Sequence, residues 1–143
     1  MPRLAIVNMM IGFILLTFAG LGGSFIANDL TQGFLKDAAQ VHNWQMTLLS
    51  SAHGHTNLFG MLHIVFGLTL PYSALPSKVL RWQTVGLGTG SFAMAVLMVL
   101  RAGFGPSDKL EALELLTGAG LSLALIALAS HAAGLGLKLL KRA

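Results

Sequence analysis

Apolar residues run almost unbroken from Leu4 to Ile26, interrupted only by Asn8, Thr17 and Ser24. Three more such runs follow, at about 45–70, 79–100 and 110–137. A helix needs about 20 apolar residues to cross a bilayer, and each run reaches that length. The pattern predicts an all-α fold: a membrane four-helix bundle in a single domain over 1–143. The first run is longer than the apolar core of a signal peptide, roughly 7–15 residues, so it reads as a retained helix. Between the first two runs, Leu30, Phe34, Leu35, Ala38 and Val41 recur at near-helical spacing among Lys36, Asp37 and Gln40. That pattern predicts a short interfacial helix over about 31–41, with a plain loop as the alternative.

The ends of the runs carry the expected punctuation. Trp44 opens the second, Pro71-Tyr72 closes it, and Arg81-Trp82 stands near the start of the third, because aromatic rings favour the headgroup level. Asp108 and Glu111 are spaced as a capping box ahead of the fourth run, where Glu114 also suits a helix start. Four-residue spacings of small residues, such as Ala19 and Gly23 or Gly86 and Gly90, allow close helix approach in lipid.

Charge sets the orientation. Arg3, Lys78, Arg81, Lys138, Lys141 and Arg142 fall on the side shared by both termini and the second loop. Lys36, Arg101 and Lys109 fall on the other, together with all five acids. The Lys/Arg bias places both termini of this multi-pass protein in the cytoplasm. Composition agrees. Of 143 residues, 55% are hydrophobic and 10% charged, against about 25% charged in a soluble domain. Too few charges remain to cover a water-facing surface. The net charge of +4 follows from residues at helix ends and does not indicate nucleic acid. With no cysteine, disulfides, thiolate metal sites and cysteine nucleophiles are excluded.

The candidate chemistry lies in the second run. His53, His55 and His63, with Asn57, stand inside a predicted membrane helix. Ionisable groups there are costly and mark functional sites, and imidazole is the natural ligand for iron, copper or zinc in such a place. His53, Asn57, Gly60 and Gly67 share one stripe, and the glycines are expected to clear a groove beside His53. His55 lies on another stripe, about 200° away. At 1.5 Å per residue, His63 and His131 of the fourth run fall at similar depth, about 27 and 31 Å from the non-cytoplasmic start. They are candidates for a paired metal, proton or quinone site. Met94 or Met98 of the third run could face His53. Arg101, or Lys109 or His42 in its place, is a candidate clamp for acidic substituents of a flat ligand.

The segment Ala52-His53, Gly60-Met61, Ile64 and Leu70-Pro71 resembles the second helix of the styrene oxide isomerases, without gaps over about 20 residues. Chain length, four-helix layout and the glycine-rich end of the first helix are similar too. The resemblance implies a membrane oligomer, a trimer, that binds haem b between subunits through a histidine matching His53. In that family the ferric iron acts as a Lewis acid on an epoxide oxygen. The family's active-site asparagine falls at Phe59 here, and its third-helix tyrosine has no counterpart, because the sole tyrosine is Tyr72. The resemblance therefore implies haem binding rather than epoxide isomerisation. His55-Thr56-Asn57 followed by Gly60 also resembles the haem-ligating second helix of haem-copper oxidase and nitric oxide reductase catalytic subunits, which nominates His55. The longer match favours His53. The expectation is a haem b protein with a small apolar ligand or a redox partner. A copper- or zinc-binding membrane protein and a cofactor-free assembly subunit are the alternatives.

Overall fold

The computed structural model describes residues 3–36, 44–104, 106 and 111–141. Among them the chain is helical throughout, without strands. Helix α1 is Arg3–Lys36 and α2 is Trp44–Thr69, closed by a 3-10 turn at Leu70–Tyr72. Helix α3 is Ser77–Ala102, and α4 is Ala112–Leu140. Helices α1, α3 and α4 are each long and apolar enough to cross a membrane. Helix α2 has the length, at 26 residues, but its histidines, asparagine and hydroxyls leave it without a stretch as apolar as those of the other three.

Two sequence-derived boundaries change. Residues 31–36, assigned to a separate interfacial helix, instead continue α1 without a break; the rest of that segment lies outside the described residues. No proline interrupts Ile26 to Lys36, and a formed helix extends at low cost once nucleated. With 34 residues, α1 is about 51 Å long, well beyond a hydrocarbon core of about 30 Å. The expected capping box is also displaced. Asp108 lies outside the described residues, and Glu111 is itself the N-cap of α4, without a side-chain cap bond.

The helices pack in the order α1, α2, α3, α4, with α2 and α3 at the centre. Phe59 and Phe66 of α2, Leu87 and Met94 of α3, Ala5 of α1 and Ala124 of α4 form the core. Glycines set the closest approaches. A Cβ on Gly12 of α1 would lie 2.6 Å from the Gly60 carbonyl oxygen of α2, and one on Gly67 would lie 2.6 Å from the Ala5 carbonyl oxygen. Small residues of this kind bring backbones together where lipid supplies no hydrophobic drive between helices.

Large apolar side chains cover the outside, among them Phe13, Phe18, Phe25, Ile126 and Leu139. Outward hydroxyls are satisfied within their own helix. Thr17 donates to the Phe13 carbonyl at 2.9 Å, Ser24 to Gly20 at 3.1 Å and Ser122 to Gly118 at 2.8 Å. A hydroxyl facing hydrocarbon has no water to bond, so back-bonding removes its desolvation cost.

Candidate functional site

A groove of about 570 Å³ opens between α1, α2 and α3, within the range of small-molecule sites. Helix α1 contributes Ala19, Gly22 and Phe25, and α2 contributes Ala52, His53 and Thr56. Helix α3 contributes Ala95, Val96 and Val99, which sit in and just beyond a π-helical turn, Ala93–Leu97. Single π turns inside α-helices recur at functional sites, because the extra residue rotates the following side chains. Thr56 donates to its own Ala52 carbonyl at 2.7 Å, so His53 is the one ionisable group on an otherwise apolar wall. Phe18 and Phe25 at the rim are exposed, so the groove opens on the outer face of the bundle.

His53 owes its position to α1. A Cβ at Gly23 would lie 2.5 Å from His53 Cε1, so only glycine lets the ring lie against that backbone. Asn57, one turn along, reaches His53 Nε2 at 3.2 Å and the His53 carbonyl at 3.3 Å. Both lengths exceed the usual 2.9–3.0 Å, which leaves the ring lightly held. Among the described residues Asn57 therefore bonds only within its own helix. His53 Nδ1 is buried and has no hydrogen-bond partner among the described residues. A buried polar atom without a partner costs about 1–3 kcal/mol.

His63 is the opposite case. Its Nδ1 donates to Asn8 Oδ1 of α1 at 3.0 Å, and its Nε2 meets Ser91 Oγ of α3 at 2.9 Å. The Asn8 amide gives one proton to the Leu4 carbonyl and the other to Thr84 Oγ1. Thr84 passes its own proton to the Leu80 carbonyl. Asn8 Oδ1 must then accept, so His63 carries its proton on Nδ1, and the Ser91 hydroxyl, which donates to the Leu87 carbonyl at 2.9 Å, lies 2.9 Å from Nε2. His63 is 0% exposed, and both its nitrogens are engaged.

The expected His63–His131 pair does not form. His131 Nε2 meets Thr69 Oγ1 at 2.9 Å, and its ring packs 4.4 Å from that of Phe66. Matched depth set the expectation, but His63 turns toward α1 and α3, away from α4. His55 is also spent locally: its Nδ1 donates to the Ser51 carbonyl at 2.8 Å. It does not line the groove.

Three further expectations are corrected. Gly60 and Gly67 clear no groove, because Leu16 and Gly12 fill the first position and Met9 and Ala5 the second. Arg101 does not line the groove either. It pairs with Glu114 at 3.4 Å and stacks over the Trp44 ring at 5.3 Å. Trp44 Nε1 donates to the Phe104 carbonyl at 2.8 Å, so Arg101 ties together the ends of α2, α3 and α4. Met94 is buried in the core and Met98 packs against it, leaving Ala95 and Val96 to face the groove. Lys109 and His42 lie outside the described residues.

Sequence reasoning missed Gly22, Gly23 and the π turn as site features. The clustered glycines at 20, 22 and 23 were the available signal, since three in four residues weaken a helix unless something must come close. Among the described residues, no three His, Cys, Asp or Glu side chains converge on a common point. Compared with protein-family models, curated proteins and solved structures, the chain matches none.

Proposed function

We propose that the chain is a four-span membrane protein of the bacterial inner membrane, with both termini cytoplasmic, that binds haem b in the α1–α2–α3 groove through His53. One observation carries the reading: an imidazole whose Nε2 is held only by one long contact from its own helix, on an apolar wall that opens outward. A metal that brings four ligands of its own needs only one imidazole from the protein. A bare copper or zinc ion needs several converging side chains. The groove supplies the first arrangement, and the resemblance to the styrene oxide isomerases points to the same histidine.

In this reading His53 would hold the iron through Nε2 in place of its 3.2 Å contact with Asn57, which keeps its bond to the His53 carbonyl. Gly22 and Gly23 keep α1 free of side chains beside it, and Phe18 and Phe25 exclude water. Haem b held there would supply an iron centre able to act as a Lewis acid, bind a diatomic gas or transfer an electron. The missing third-helix tyrosine and the Phe59 in place of asparagine favour a role other than epoxide isomerisation. The outward opening favours a second copy of the chain as the closing wall, in a trimer as the resemblance implies. Protein expressed with added haem and purified in detergent is expected to show a Soret band. His53→Ala should remove the band, and His55→Ala should retain it. Colourless protein, or a band lost with His55 and kept without His53, overturns the reading.

A further inference from the structure

A second groove, of about 460 Å³, lies at the opposite end of the bundle, where α1 and α3 begin and α2 ends. Leu4, Val7, Leu70 and Leu80 line it, and Arg3 and Arg81 stand at its edge. Both arginines are exposed, and neither forms an ion pair among the described residues. The described acids are far away. Asp29 lies 26 residues along α1 from Arg3, about 39 Å at helical rise, and Glu111 and Glu114 start α4 at that other end. Ser77 also borders the groove. It begins α3 behind Pro76, which gives the helix no side-chain cap bond, so the first amides of α3 add donors at the same mouth.

We infer that this groove binds an anionic phospholipid, with the phosphate between Arg3 and Arg81 and an acyl chain along Leu4, Val7, Leu70 and Leu80. Two unpaired guanidinium groups above an apolar slot match an amphiphile with one negative head. Guanidinium donors suit phosphate oxygens in a bidentate way. Basic pockets between helices on the cytoplasmic face recognise lipid heads by this chemistry. The inference rests on the membrane placement proposed above and is independent of haem.

The test uses the whole chain in mild detergent, with binding read by native mass spectrometry and by thermal stabilisation. Phosphatidylglycerol is expected to bind at least about tenfold more tightly than phosphatidylcholine of the same acyl chains, and inorganic phosphate alone to give little shift. The Arg3→Gln/Arg81→Gln variant should weaken phosphatidylglycerol binding roughly 30-fold, the effect of two interfacial cations. Lys36→Gln, at the far end of α1, should not. Equal binding of the two lipids overturns the inference, as does phosphatidylglycerol binding that survives the double variant or a shift from phosphate alone that equals it. Should the double variant not fold, the comparison of lipids on the unaltered chain decides. Protein recovered from cells without detergent would sink the membrane placement instead, a result separable from a loss of lipid discrimination.

Discussion

Two imidazoles on one helix, His53 and His63, have their nitrogens in opposite states. His63 is bonded at 3.0 and 2.9 Å on its two nitrogens, whereas His53 holds one long contact and one orphaned atom. Removing a partner of a buried polar group leaves a desolvated atom behind. Asn8→Ala is expected to lower stability by about 1–2 kcal/mol, since interhelical bonds in membranes sit at the low end of the hydrogen-bond range. Thermal unfolding in detergent measures this, and the Soret band of the proposed haem protein should be unchanged. Gly23→Ala acts at the other imidazole. Its methyl group would press on His53 Cε1 and rotate the ring. If His53 holds haem as proposed, the Soret band should shift or vanish while the fold is kept, as judged by circular dichroism and elution volume.

At the scale of elements, the contact between α1 and α2 sets the shape of the site. Gly12, Gly60 and Gly67 let the two helices meet backbone to backbone, and that approach brings Gly23 against His53. Gly67→Ala places a methyl 2.6 Å from the Ala5 carbonyl oxygen. Backbone cannot yield as a side chain can, so a loss of about 1–3 kcal/mol is expected. Gly54→Ala is the control. Nothing described lies within 4 Å of its Cβ, and replacing an unconstrained helical glycine by alanine gains about 0.5–1 kcal/mol. Equal stabilities of the two variants, measured by thermal unfolding, would refute the close-packing account. The four-residue spacing of small residues was legible in the sequence. Which of them touch another helix was not, because that depends on how α1 is rotated against α2.

For the whole molecule, the decisive asymmetry is between its two ends. Arg3, Lys78, Arg81 and Lys138 gather at one, and Asp29, Glu111 and Glu114 at the other. The absence of cysteine makes topology directly measurable. A membrane-impermeant maleimide is expected to label Asp29→Cys in intact spheroplasts, and Lys78→Cys only after permeabilisation. The reverse pattern would place both termini outside. Both positions are exposed, so accessibility reports the side of the membrane and not burial.

Sequence alone pointed to four long helices, all expected to cross a membrane, and to polar groups of the second that need shelter; four helices form, and three of them are apolar enough to cross. Those features are local: apolar length and period 3.6 are properties of consecutive residues. Tertiary structure decided which histidine is free. The partners of His63 stand 55 and 28 residues away, and no local pattern allocates them. It also decided where the open space lies. A glycine leaves the same gap in every sequence, and only the neighbouring helix determines whether that gap is filled, as at Gly60, or holds an imidazole, as at Gly23.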